Sequence, residues 1–593
     1  VILPNSRQNL SFIPAHSEGD LFQVQKTTPT RRYLRADFDP ENGSHVSHAL
    51  ARLRSEPPFD FASAKIWYET FSELSDATNE IQTRLDLEMS LNTGSKEITD
   101  RISRFENDVL IQLMNARAQL MDIYLQSPWR ASMHADDRDK IARELQQRRK
   151  YTSPKLAQLQ IEENSLIRDF KSFSAQATCS FFGRNTSLGV VIGKLNDPRP
   201  EIRKEAFLAH WSKIRSSREW LENLFTRLLK NRIEQAGVAG ANSYTNLCFS
   251  DLGRFDYSAQ DCKTFRDSIH QTIVPLVSEL QSMQLQSLGS STLRPWDANV
   301  WPKFLPSENP CQGDLDAMLD AGGRIIAKIH PGFGRFFETL LEKRYIDIHP
   351  RNMKAPGAFC VVLPESRTPF VFGNFAGHFR DAFTLLHEFG HALHGSATLQ
   401  IDNPLLRHPG LEYCEVASMG LEFLAQPFLN EFWPRAGDAD KAWALHCFNA
   451  LQFWPFMALL DEWQHTVYDE KLLDAADRSA LWRQLSRKYR PNIDWSEMED
   501  FEELGWLSRP HPVTSPFYYI DYGIAQMGGV QLWLNSRKNY PHAVESYIRG
   551  LSLGSQRTLP ELFSATSLNF DFSKSWVEQL GRVLFEEIGA VQI

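Results

Sequence analysis

The sequence predicts a mainly α protein with one small β element just ahead of a helix that carries an HExxH string. Three observations support this. Apolar residues recur near helical spacing, as in Phe105, Val109, Leu113 and Leu120 between charged neighbours. Two runs rich in β-branched and aromatic residues, 358–363 and 370–372, flank a segment bounded by Pro364 and Pro369, which reads as a hairpin. Soon afterwards, residue 379 opens another helical stretch, and it contains His387-Glu388-Phe389-Gly390-His391.

Taken in order, residues 1–30 read as an irregular arm punctuated by Pro4, Pro14, Gly19 and Pro29. Residues 49–166 read as long amphipathic helices packed on one another. Residues 183–200 carry several Gly and Pro and read as a junction between lobes. Helical sequence resumes at 201 and runs to about 236. Residues 295–313 read as a long surface excursion. From 379 to the end the pattern is again mostly helical. At 593 residues the chain exceeds what one hydrophobic core sustains, so two or three lobes, or lobes about a large cleft, are expected.

Composition excludes several classes of function. The 64 basic and 73 acidic residues leave a net charge of -9, which disfavours nucleic acid as a partner. The longest apolar run, 453–460, contains Pro455 and is too short to span a bilayer. The run Val1-Ile2-Leu3-Pro4 is too short for the apolar core of a secretory leader. With 7 cysteines and no CxxC pair, a disulfide scaffold is not expected and a reducing cytoplasm fits best.

The HExxH string is where chemistry is legible. A helix advances about 100° per residue, so His387 and His391 share a face and can offer imidazole nitrogens to one ion. Glu388 can reach a water at that ion and take its proton. Such a site needs a third ligand. No histidine completes HExxHxxGxxH. His394 can face the same side, in a structural or orienting role. The stronger candidate is Glu415, because Asn403, Pro404, Pro409 and Gly410 turn the chain before a second helix that would lie antiparallel to the first. Glu422, two turns beyond Glu415 on the same face, is placed to hold a ligand histidine through its other nitrogen, with Ser418 also within reach. A donor for the oxyanion of a tetrahedral intermediate is sought in residues 511–523, where Tyr519 and Tyr522 fall three apart on one face.

Read together, these strings resemble the thimet oligopeptidase family of zinc metallopeptidases, nearest to its oligoendopeptidase F branch. The residues that carry the resemblance are Phe389-Gly390 within the motif and Ala392-Leu393-His394 after it, then Glu415-Val416-Ala417-Ser418 and Pro516-Phe517-Tyr518-Tyr519-Ile520-Asp521-Tyr522. Upstream, Asp347, Arg351, Lys354, Gly357, Ala358 and Phe359, followed by 370–377, also match, so the resemblance spans about 345–526.

The resemblance implies a zincin-like fold of two lobes around a deep substrate channel, with an N-terminal helical region (1–180) and a catalytic region (181–593). It implies one Zn2+ held by His387, His391 and Glu415, with Glu388 as general base. His511 and Tyr519 would steady the substrate carbonyl and oxyanion, with Tyr518 or Tyr522 as neighbours. The strand near 370–375 would pair with the extended substrate, so Phe372, Gly373, Asn374, Phe375 and Gly377 are expected to line its path. The implied activity is hydrolysis of internal bonds in short unstructured peptides by a cytoplasmic monomer that uses neither membrane nor nucleic acid. Two other readings compete: a zinc carboxypeptidase using Arg380 or Arg351 to hold a terminal carboxylate, and a peptide-binding protein without catalysis. The intact Glu388 speaks against the second, since a site that only binds zinc needs no base there.

Overall fold

A computed structural model of the protein describes residues 31–132, 135–151 and 154–590. The arm read over 1–30 lies outside them. Helices dominate, and local sequence sets their ends. Phe61–Leu91 starts at a capping box: the Asp60 carboxylate accepts the Ser63 N–H at 2.8 Å, and the Ser63 hydroxyl accepts the Asp60 N–H at 3.1 Å. Lys96–Phe105 passes through a π turn, Glu106–Leu110, into Ile111–Gln126. Phe105, Val109 and Leu120 are buried there and Leu113 partly so.

These side chains belong to one hydrophobic core, drawn from residues between Leu34 and Leu145 and joined by Leu406 from much later in the chain. A second, larger core runs from Leu156 to Ile588. Its longest members are the helices Ala259–Leu288 and Asp438–Asp469.

One irregular segment holds more structure than its sequence shows, and the reading of another needs correction. The expected lobe junction contains an antiparallel hairpin, β1 (Thr178–Phe181) and β2 (Arg184–Ser187). Its two turn residues, Phe182 at φ 48° and Gly183 at φ 73°, are both left-handed, the twist a two-residue hairpin needs. Residues 295–313 are not a surface excursion. Ala298, Val300, Trp301 and Phe304 are buried, and the Trp301 ring lies 5.1 Å from that of Phe448. Gln284 makes this burial tolerable by donating to the Asp297 and Val300 carbonyls at 2.9 and 2.7 Å.

The second sheet has three strands in the order β3 (Ile346–Asp347), β5 (Thr368–Gly373), β4 (Ala358–Leu363). β4 and β5 form the expected hairpin, in register from Ala358 opposite Gly373 to Leu363 opposite Thr368. β3, too short to read from sequence, adds in parallel to the far side of β5. The central strand is therefore β5, and the edges are the two-residue β3 and the six-residue β4.

The described residues contain no helix long and apolar enough to cross a membrane. All seven cysteines are free thiols.

Candidate active site

The HExxH helix, Phe379–Thr398, begins where Asp381 accepts the backbone N–H groups of Ala376 and His378, each at 2.9 Å. Phe389 points away from the histidines and packs its ring 5.2 Å from Phe337 and 5.9 Å from Phe336. Full burial of such a ring contributes about 1.5–3 kcal/mol and fixes which face of the helix is left for chemistry. The partner helix is Leu411–Leu424. A Cβ at Gly390 would lie 2.6 Å from the Ser418 Cα and 2.7 Å from the Ala417 carbonyl oxygen, so the two backbones touch at this glycine.

That contact brings three donors together. Glu415 Oε2 lies 3.3 Å from His387 Nε2 and 3.5 Å from His391 Nε2, and the three donor atoms all fall within 4.8 Å of one another. Two imidazoles and one carboxylate, with room left for a water, are the donor set of a catalytic zinc. His387 Nδ1 sits 2.7 Å from Glu422 Oε1, which frees its Nε2 to face the shared point. Ser418 supports the carboxylate rather than a histidine, its hydroxyl donating to Glu415 Oε2 at 3.0 Å. Burial opposes a charge on Glu415, but the His391 charge and the histidine hydrogen bonds outweigh it and hold its pKa well below the usual range.

Glu388 is buried, borders the cavity described below, and has an oxygen, Oε2, with no hydrogen-bond partner. Burial raises its pKa against the pull of His387 and His391, which makes it a stronger base than an exposed glutamate. His394 stands apart from the donor set. It is buried with its ring 5.9 Å from Tyr413, Nε2 has no partner, and burial lowers its pKa to about 3, so it packs as a neutral ring.

The tyrosines divide by role. Tyr518 donates its hydroxyl to Glu415 Oε1. Tyr519 borders the cavity, with its ring 4.8 Å from His511. Tyr522 lies 4.9 Å from the Tyr518 ring and 6.0 Å from His511. Burial and then Arg509 lower the His511 pKa to about 4, so the ring is neutral near pH 7, and its Nδ1 has no partner. The segment is aimed by Phe517, a left-handed residue at φ 61°. Its N–H donates to Gln464 at 2.9 Å, and its carbonyl accepts from Arg254 at 2.7 Å. Arg254 also pairs with Asp521 and, at 3.2 Å, with Glu412, one turn ahead of Glu415. One buried guanidinium therefore ties the third donor's helix to the tyrosine segment. Nothing in the local sequence around Arg254 announces this, because its partners lie more than 150 positions away.

The five residues expected along the substrate path do not line an open strand. Phe372 is fully buried and stacked 4.5 Å from Phe359, and Gly373 and Phe375 are buried as well. The Asn374 side chain donates to the Lys354 and Ala355 carbonyls, and Gly377 is pressed against the Gly313 backbone. Pairing on both sides of β5 is the physical reason. The strand with an open edge beside the site is β4, whose Cys360 thiol is pushed well up by burial and then by the Glu388 charge.

A cavity of about 500 Å³ opens onto His387, Glu388, Glu422 and Tyr519. It also reaches His446, Arg380, Arg490 and Arg509, of which sequence reasoning singled out only Arg380. His446 stacks on Phe383 at 4.1 Å and lies 3.6 Å from Glu422 Oε2. Arg351, the other arginine considered for a terminal carboxylate, is taken by Asp347 at 2.8 Å.

Comparison with known proteins agrees with this arrangement. The family model described as peptidase family M3 matches residues 194–309 and 333–582. The chain belongs to peptidase family M3. Within that family it resembles an oligoendopeptidase F homolog of Borreliella burgdorferi, 21% identical over 379 residues that cover 61% of each chain. It also resembles the group B oligopeptidase PepB of Streptococcus agalactiae serotype III, 21% identical over 331 residues, 54% of this chain and 51% of that one. The matches thus span less than two thirds of either relative's length. A solved structure of PZ peptidase A with an inhibitor is 25% identical and superposes with a TM-score of 0.88, covering 94% of this chain and 99% of that one. This M3 chain is accordingly a mainly α, zincin-like protein.

Proposed function

We propose that this chain is a zinc-dependent endopeptidase that cuts internal bonds of short, unstructured oligopeptides. The observation that carries the reading is the unpartnered Glu388 carboxylate oxygen beside a convergent pair of imidazoles and a carboxylate, at the edge of a half-open cavity. His387, His391 and Glu415 would hold the zinc. Bound there, zinc would supply Lewis acidity toward water and the substrate carbonyl.

The chain's own residues do the rest. Glu388 takes one proton from water as the water oxygen bonds to the carbonyl carbon. It returns that proton to the amide nitrogen as the C–N bond breaks, leaving a carboxylic acid and an amine. Tyr519 and a neutral His511 border the place where negative charge develops on the carbonyl oxygen and are suited to donate to it. Tyr518 holds Glu415 in place. The open edge of β4, rather than β5, is suited to pair with an extended substrate backbone. The two hydrophobic cores are read as two lobes, divided along the chain nearer residue 150 than the 180 expected from the sequence. The seven free thiols suit a reducing compartment such as the cytoplasm. A monomer suffices for this chemistry.

The test is mass spectrometry of a peptide pool of about 5 to 40 residues, incubated with zinc-loaded wild type and with Glu388→Gln. Internal cleavage by wild type only, with Glu388→Gln slower by about 10³-fold or more yet retaining one zinc, is expected. Equal cleavage by both proteins would remove Glu388 from the chemistry. Release of single C-terminal residues would make the enzyme a carboxypeptidase.

A further inference from the structure

Three arginines line the cavity, and none is paired with either carboxylate that lines it too, Glu388 or Glu422. Arg380 lies in the first turn of the HExxH helix, Arg490 directly follows the helix Ala475–Tyr489, and Arg509 precedes His511 by two residues. Among the described residues, none of the three guanidiniums has an ion pair or hydrogen bond. Arg490 and Arg509 rest instead on Phe456, 5.8 and 4.5 Å from its ring centroid, and Arg509 Nε is buried with no acceptor. Burial and then the Arg509 charge lower the pKa of Arg380, and they lower that of Arg490 to about 10.

The fully buried arginines of the fold all have partners, whereas of these three, none of them partnered, Arg380 is exposed and Arg490 and Arg509 are half-buried. Arg203 is matched by Asp297, Arg232 by Glu163, Arg254 by Asp521 and Glu412, and Arg266 by Asp461, while Arg478, without a carboxylate, donates to the Leu472 and Leu473 carbonyls and the Thr226 hydroxyl. The cavity also holds a second kind of unmet donor, the buried Nε2 of Gln452. Unpartnered guanidiniums and an unsatisfied amide on one cavity are donors awaiting an acceptor, and a carboxylate with two oxygens is the acceptor that matches guanidinium geometry.

We propose that Arg380, Arg490 and Arg509 form a subsite for a carboxylate of the peptide substrate, two to three residues from the bond that is cut. The inference rests on the peptidase reading and names what its substrates carry. The spacing follows from the helix. Arg380 precedes His387 by two turns, about 10 Å along the axis, and an extended peptide advances about 3.3 Å per residue. The carboxylate is either the substrate's C-terminus or an Asp or Glu side chain. In the first case the product is a fragment of two or three residues, not a single amino acid.

The experiment uses one neutral peptide of about eight residues in three forms: free acid, C-terminal amide, and amide with Glu or Gln placed at each position in turn. Affinity for zinc-loaded Glu388→Gln is measured by titration, and kcat/KM is measured with wild type. A preference of at least about tenfold is expected, for acid over amide if the terminus is bound, or for Glu over Gln at one position if a side chain is bound. Arg380→Gln and Arg490→Gln, made separately, should each bring that ratio to within about twofold of one. Both should unfold at or above the wild-type temperature, because each relieves repulsion among unpaired cations.

Ratios near one in wild type, or ratios unchanged in both variants, overturn the proposal. A lower unfolding temperature with an unchanged ratio also overturns it, since the arginines would then be structural. If wild type cuts nothing, the peptidase reading fails, while the affinity ratios still judge the subsite.

Discussion

Gly390→Ala should damage metal binding without touching a donor atom. The added Cβ would sit 2.6 Å from the Ser418 Cα and 2.7 Å from the Ala417 carbonyl oxygen, against an ordinary carbon contact of about 3.5–4.0 Å. Both neighbours are backbone, so no side chain can swing aside, and the two helices must separate by about 1 Å. Overpacking of this kind costs about 1–3 kcal/mol. The better helix propensity of Ala returns at most about 1 kcal/mol. The larger effect falls on the site, because Glu415 travels with its helix while His387 and His391 do not. A zinc–ligand bond is about 2 Å long, and a displacement of half that length should lower zinc affinity by about 10- to 100-fold.

Competition with a chromogenic chelator measures the affinity, and thermal unfolding of the metal-free protein measures the packing. Gly237→Ala is the matched control. That glycine lies in the helix Arg218–Ala239 with nothing within 4 Å of its would-be Cβ, and the change should stabilise by about 0.5–1 kcal/mol. Wild-type zinc affinity in Gly390→Ala, with no loss of thermal stability, would refute the argument that this backbone contact sets the donor spacing.

Removing the 2.7 Å partner of His387 by Glu422→Ala should weaken zinc binding by about 10- to 100-fold in the same competition, with partial rescue by Gln; unchanged affinity would deny Glu422 an orienting role. Arg254→Met leaves Asp521 and Glu412 buried without their cation and should cost about 3–5 kcal/mol in denaturant unfolding; a loss under about 1 kcal/mol would show that the guanidinium is not the clamp described. His210 should make the fold acid-sensitive. Burial, then Arg509, lowers its pKa to about 4, so between that value and about 6.5 the unfolded chain binds the proton and the folded one does not. Its contribution is fully present above pH 6.5 and lost as pH falls toward 4, by about 3 kcal/mol. A stability–pH profile in which His210→Phe shows the same slope over that window as wild type would reject it.

What the sequence made legible follows from the range of the interactions involved. His387, Glu388 and His391 could be placed because one helix fixes their relations, and Glu415 and Glu422 because a second helix fixes theirs. The antiparallel packing between the two helices then needed only the turn at Asn403 to Gly410. The β4–β5 hairpin was readable for the same local reason. β3 was not, because Ile346 and Asp347 form a strand only through pairing with Val371 and Phe372, and its presence closes the second edge of β5, leaving that of β4 open. The turn at Phe182 and Gly183 was missed because the first left-handed position holds a phenylalanine instead of the Asn or Gly that signals such hairpins. The cavity lay furthest beyond reach. Arg380, Arg490 and Arg509 span about 130 positions, each surrounded by unremarkable neighbours, and an unpaired arginine in a sequence looks the same as a solvated one. Only tertiary structure reveals that these three line one cavity without pairing to a carboxylate. Local periodicity thus identifies the groups proposed to make and break bonds, whereas those proposed to hold a substrate carboxylate are assembled from distant segments.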